Sequence, residues 1–404
     1  MSDNSQGFSP DAELEAAIDL LREVPSEKME LPDQCPEYGI GELPALKLLA
    51  PYVIGGAAQL DAPNALAHMD PPTPWITWAI ALWNARLNQN VLHPATAPFA
   101  RDAEKRVIDW LTPMFGMKGG HMCSGSTIAN LTAIWAARDA KGVTKVIASE
   151  AAHLSIKKAA QMLRLPYEEV QADRHGQLDQ EQLGDISDAC LVLTAGTTAT
   201  GVIDPLELVG HAKWTHIDAA WAGPLRLSPT HGHLLDGIEV ADSIGISAHK
   251  LLMQPKDSAL VMFREPEVAN PAISYGGGYL AAPNVGVQGS RGAAAIGLLA
   301  TLVASGRIGV VARIDWVMDI ANQLAEKLRR EESMHLWAMP KTGVTVFRPI
   351  NCTTEEFISR LPVGMLSTCI IDGKSWLRSV AANPLADVDS IFSTIQQCAE
   401  RINR

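Results

Sequence analysis

Two residues define the chemistry this chain could perform. Lys250 closes the segment Ser247-Ala248-His249-Lys250. Asp218 sits in the run Trp214-Thr215-His216-Ile217-Asp218-Ala219-Ala220-Trp221. Each follows a short apolar, strand-like stretch. An amine and a carboxylate at two strand ends can serve one planar cofactor. The lysine forms a Schiff base with an aldehyde, and the aspartate pairs with a protonated ring nitrogen; pyridoxal phosphate chemistry needs both. Partial burial beside Ile217 and Ala219 raises an aspartate's pKa unless a cation is near, and a pyridinium is such a cation. A helix-capping aspartate is the plainer alternative. Lys250 must be neutral to react, and desolvation or a neighbouring cation shifts a lysine that way.

Three further segments bear on the same chemistry. Ser124-Gly125-Ser126-Thr127 precedes a helical pattern, where free N–H groups and the helix dipole attract a phosphate; an ordinary Ser/Thr N-cap is compatible with that role. His153 follows the run Val146-Ile147-Ala148-Ser149. An imidazole there can stack on a ring or move a proton, or it can be a satisfied loop residue. Thr194-Ala195-Gly196-Thr197-Thr198 ends another β-like run and offers hydroxyls, or forms a plain turn.

The elements that must position these groups read as α/β. Helical patterns cover 101–115 and 128–140. They alternate with strand-like runs at Lys145–Ala148, Cys190–Thr194, Trp214–Ile217, Ser243–Ser247 and Ala259–Phe263. Such alternation predicts a mainly parallel sheet with helices on both faces and ligand groups at the carboxyl ends of strands. Before it come an amphipathic helix over 11–23 and a Pro-rich stretch ending in Pro71-Pro72-Thr73-Pro74. Trp75, Trp78 and Trp83 follow at helical spacing, which predicts a packed helix face. After it come a Gly-rich loop over 275–292, a long helix near 308–331, a strand at 343–347 and a final helix from Val388.

Composition narrows the class. Of 404 residues 47% are hydrophobic and 19% charged, which suits a folded chain, and the net charge of −12 argues against nucleic-acid or anionic-membrane partners. Cys35, Cys123, Cys190, Cys352, Cys369 and Cys398 show no metal or disulfide spacing. They point to a reducing cytoplasm and no metal. No secretory leader is visible, and the small-apolar stretch Ala293–Ala304 is too short to span a bilayer.

Taken in order, these segments resemble the group II pyridoxal phosphate-dependent amino-acid decarboxylases, among them the aromatic amino-acid, glutamate, histidine and 2,4-diaminobutyrate enzymes. The match runs from about His68 to Asn383. It implies the aspartate-aminotransferase-like fold (PLP fold type I) with a small C-terminal α+β domain. The expected division is 1–90 as an N-terminal, dimer-forming segment, 91–310 as the cofactor domain and 311–404 as the small domain. The resemblance also implies roles. Ser126 and Thr127 match phosphate ligands, and His153 matches the ring-stacking histidine. Thr198 lies near the phenolic oxygen. Asp218 and Ala220 match the ring-nitrogen carboxylate and its small neighbour. Ser247 and His249 help hold phosphate, Lys250 carries the Schiff base, and Arg378 approaches the substrate carboxylate. The implied reaction releases CO2 and an amine from an L-amino acid in a cytoplasmic homodimer.

The chain also departs from the family. Tyr279 matches an upstream tyrosine of a mobile loop, but no tyrosine lies between Leu280 and Arg291. The proton donor stays open among His153, Lys250 and Tyr275. Met69 and Asp70 stand where aromatic-substrate members carry aromatic residues. Asp70 either pairs with a substrate cation or caps the Pro-rich turn. The alternatives are another reaction on the same cofactor, aldehyde-forming oxidative deamination or C–S cleavage, or a non-catalytic relative that binds the cofactor.

Overall fold

The structure, a computed structural model, describes residues 13–23, 29–278, 280 and 283–402. The chain forms two compact units, Met1–Gln59 and Leu60–Arg404. In the first, α1 (Glu13–Arg22) and α2 (Glu42–Val53) pack on one another.

The second unit carries α3 (Trp75–Leu87) and α4 (Pro98–Leu111), then the expected alternation. Its elements are β1 (Gly119–Cys123), α5 (Ser126–Lys141), β2 (Lys145–Ser149), α6 (Leu154–Met162), β3 (Tyr167–Val170), β4 (Ala189–Thr194), β5 (Trp214–Asp218), β6 (Ser243–Ser247) and β7 (Ala259–Phe263). They form one seven-stranded sheet in the order β1-β7-β6-β5-β4-β2-β3. Only β7 runs against its neighbours.

Period-2 side-chain alternation explains why the sheet is buried on both faces. Val146 and Ala148, Cys190 and Val192, and Ala259, Val261 and Phe263 point into one core with α5 and α6. Ile147, Leu191, Leu193, Leu260 and Met262 point into the other.

Beyond the sheet come α7 (Pro266–Ala272), a short ribbon of β8 (Ser274–Tyr275) and β9 (Asn284–Val285), and α8 (Ala294–Arg329). A four-stranded antiparallel sheet follows, β10 (Met334–Leu336), β11 (Val344–Pro349), β12 (Ser367–Ile371) and β13 (Lys374–Val380), in the order β10-β11-β13-β12. With it go α9 (Thr354–Ser359) and α10 (Val388–Ile402). The final helix starts at the expected residue.

Two expectations are corrected. Trp75, Trp78 and Trp83 do not form a packed face; they are 72%, 59% and 60% exposed in this chain. It is Thr77 and Ile80 that α3 buries. The apolar stretch at Ala293–Ala304 is not an isolated short run. It opens α8, which is long and apolar enough to cross a membrane by length and composition. Gly306 (φ 60°, ψ 175°) breaks the helix, and Leu298, Ile314, Val317, Leu324 and Leu328 lie in the main core.

Candidate active site

The sheet brings its chemistry to adjacent strand ends. Asp218 is the last residue of β5, paired in register with Thr194 of β4 and Gly245 of β6. It is buried. Its Oδ2 accepts from Asn130 Nδ2 (2.9 Å) and its Oδ1 from the Ala220 backbone N–H (3.2 Å). Lys250 follows β6 in a turn closed by its own N–H to Ser247 O (3.2 Å). Burial lowers its amine pKa; Asp218 and Asp70 oppose the shift and Lys256 adds to it. The lysine is thereby moved toward the neutral, nucleophilic form.

His153 is the N-cap of α6, with φ −62° and ψ 140°. Its Nδ1 accepts from Ser155 N–H (3.2 Å) and meets Ser155 Oγ at 2.8 Å. Burial lowers its pKa against the pull of Asp218, with Lys250 and Lys158 reinforcing. His153 lines a cleft of about 760 Å³ together with Thr198 and Arg378.

The third corner is polar. Ser126 and Thr127 open α5, but no side chain caps it; Gly125 is the N-cap. The simple Ser/Thr cap is therefore not what the structure has. Strand register puts Ser247 and Cys123 on either side of Ala259, so β6 ends beside the turn that enters α5. His249 also lies here, its Cε1 3.8 Å from where a Cβ on Gly125 would stand. Ser247 Oγ and His249 Nδ1 are buried without hydrogen-bond partners. Burial, reinforced by Lys256 and Lys250, pushes the His249 imidazole down to about 4. Buried polar atoms normally find partners, and an uncapped helix N-terminus favours an anion.

Arg378, on β13, donates to Thr198 O (2.7 Å), Ser367 Oγ (3.0 Å) and Ala67 O (3.3 Å). All three acceptors are neutral, so its charge is free for a carboxylate. Met69 is buried in the main core, and Asp70 is ion-paired with Lys256. Asp70 thus already has a cation within the chain. Tyr275 is exposed and stacks on Trp135 of α5 at 5.9 Å between centroids. Tyr279 lies outside the described residues.

A family model described as the pyridoxal-dependent decarboxylase conserved domain matches residues 45–350. The chain belongs to this decarboxylase family. Its members are pyridoxal phosphate-dependent carboxy-lyases. The family's chain here is 29% identical over 358 residues to the aspartate 1-decarboxylase of Aliivibrio fischeri, covering 73% of this chain and 65% of that one. It is 28% identical over 418 residues to the L-2,4-diaminobutyrate decarboxylase of Rhizobium meliloti, covering 91% and 83%. Its fold matches the crystal structure of Catharanthus roseus tryptophan decarboxylase in complex with L-tryptophan with a TM-score of 0.84 at 19% identity, over 96% of each chain.

The site of this decarboxylase-family chain fits pyridoxal phosphate. The uncapped α5 and the unsatisfied Ser247 and His249 suit the phosphate, and the buried Asp218 suits a cationic ring. Sequence reasoning missed Asn130, Ser155, His216 and Ser243, which are hydrogen-bonded together beneath Asp218. The available signal was polar side chains inside apolar runs, Asn130 in a helix and His216 in a strand.

Proposed function

We propose that this chain decarboxylates an L-amino acid to its amine and CO2, with Lys250 holding pyridoxal phosphate as a Schiff base. One observation carries the reading: Asp218 ends β5 and Lys250 lies in the turn just after the neighbouring β6, beside an uncapped helix and two buried polar atoms without partners. When bound, the cofactor supplies an electron sink for the breaking bond. The protein's part is placement. Asp218 sustains the ring's positive charge. Ser126, Thr127, Ser247 and His249 would hold the phosphate, Thr198 would face the phenolic oxygen, and Ala220 would leave room under the ring. His153 would cover the opposite face and is a candidate proton donor through Nε2. Arg378 receives the substrate carboxylate, with Met69 and Asp70 along the wall. Fixing reactants in this way lowers the barrier without new chemistry from the protein.

The division we propose is 1–90, 91–310 and 311–404; the four-stranded sheet falls within the last part. A homodimer is the proposed assembly, supported by the exposed tryptophans of α3. A cytoplasmic location is supported by six free cysteines.

The test is a panel assay. Cofactor-loaded protein is given acidic, diamino, basic and aromatic amino acids, and CO2, amine, aldehyde and keto acid are all quantified. Equal CO2 and amine from one substrate is the expected result. Aldehyde with ammonia would replace it with the oxidative reaction. Lys250→Ala should lose turnover by on the order of a thousandfold or more.

A further inference from the structure

Asn130 is fully buried in α5 and bonds three side chains with one amide. Its Nδ2 donates to Asp218 Oδ2 (2.9 Å) and to Ser155 Oγ (3.0 Å), and its Oδ1 lies 3.0 Å from His216 Nε2. The direction of every bond follows from what each group can do. A carboxylate only accepts, so the NH2 end of the amide must face Asp218. The Oδ1 end then faces His216, whose Nε2 must carry the proton. His216 stays neutral, since burial pushes its pKa down to about 4. Its bare Nδ1 therefore accepts from Ser243 Oγ (2.9 Å), which in turn accepts from Trp214 Nε1–H (2.9 Å). The chain of donors runs one way, from Trp214 to the Asp218 carboxylate.

A branch reaches the other face of the site. Ser155 Oγ accepts from Asn130, so its own proton points to His153 Nδ1 at 2.8 Å. The Ser155 backbone N–H donates to the same nitrogen. Neutral His153 then keeps its proton on Nε2.

We propose that Asn130 is the positioning residue of this site, holding the Asp218 carboxylate and, through Ser155, the Nε2–H form of His153 in one hydrogen-bonded unit. The group assigned to the ring nitrogen and the group assigned to one ring face are thereby set together, before any ligand arrives. Trp214, Ser243, His216, Asn130, Ser155 and Asp218 are all buried, so a member of this network that turns leaves a buried polar group unpaired, which holds the network in one arrangement. The proposal rests on the cofactor reading of Asp218 and His153 given above.

Two measurements on the full-length protein test it. In the first, nitrogen-15 spectra of histidine-labelled, cofactor-free wild type report which ring nitrogen is protonated, with His153→Gln and His216→Gln as assignment controls. The Nε2–H form at both residues is expected; the Nδ1–H form at His216 would reverse the network and overturn the proposal. In the second, the Kd for pyridoxal phosphate is measured for wild type and Asn130→Asp from about pH 5.5 to about 8.5. The substitution keeps the shape but sets two carboxyls at hydrogen-bond distance, which must share a proton. The variant-to-wild-type Kd ratio should rise by about tenfold or more as that proton is lost. A purely structural role would give a ratio flat with pH, and that result overturns the proposal. Wild type that takes up no pyridoxal phosphate overturns the cofactor reading and this inference with it. Should Asn130→Asp not fold, the wild-type spectra decide alone.

Discussion

Asp218 is a carboxylate with 3% of its surface exposed, and among the described residues its hydrogen bonds come from an amide and a backbone N–H. The role proposed for Asp218 beside a cationic ring nitrogen predicts that Asp218→Asn raises the Kd for pyridoxal phosphate roughly tenfold and cuts kcat by about a hundredfold or more. Absorbance titration and steady-state rates check both. His216 makes a separate prediction about stability. It is fully buried and its pKa falls from 6.5 to about 4. Below about pH 6.5 the unfolded imidazole takes a proton that the folded one refuses, so folding weakens as pH drops from there to about 4, and then levels off. The loss attributable to this residue is roughly 2 kcal/mol between neutral pH and about pH 5. Urea unfolding of wild type and His216→Gln across that range should show a shallower acid slope in the variant. At this scale the sequence singled out Lys250, Asp218 and His153 because each stands at the end of an apolar run or just beyond it. It hid Asn130 and Ser155 because their partners are 88 and 25 residues away from Asn130 along the chain.

Among the elements, the central strands were legible and the edges were not. β2, β4, β5, β6 and β7 read as short apolar runs because both of their faces are buried. β1 begins Gly119-Gly120-His121 and β3 is Tyr167-Glu168-Glu169-Val170, and both lie at the rims of the sheet. Edge strands carry polar residues and glycine, so their pattern resembles a loop. β13, which carries Arg378, mixes polar and apolar residues without clean alternation. The turn after β4 shows how tightly an element fixes the site. Gly196 has φ +93°, and a Cβ there would meet Trp221 Cδ1 at 2.8 Å and Ala222 Cβ at 3.0 Å. Trp221 is itself held by its Nε1–H to Thr342 O (2.6 Å). Gly196→Ala should therefore cost about 1–3 kcal/mol of stability, from left-handed backbone strain and overpacking together. Because Thr197 and Thr198 follow directly, cofactor affinity should fall as well. Thermal unfolding and cofactor titration of the one variant separate the two effects.

For the whole molecule, the surface points to assembly. α3 exposes Trp75, Trp78, Leu82, Trp83 and Leu87, each at least 44% open. Isolated apolar residues on a surface are ordinary, but several large ones on a single helix mark a face that a partner covers. Tryptophan is also the side chain most often found at the energetic centre of interfaces. The homodimer proposed above would cover it with a second copy of this chain, and two-fold homodimers are the commonest oligomers. Wild type should then sediment as a dimer at micromolar concentration. Trp78→Asp together with Trp83→Asp should raise the dimer Kd by on the order of a hundredfold, as expected for the loss of two central contacts. Both positions are on the outer side of α3, so the far-ultraviolet spectrum and thermal midpoint of the monomer should stay near those of wild type. A wild-type chain that sediments as a monomer at every concentration would leave the apolar face of α3 without a second copy to cover it, and the homodimer would have to be abandoned.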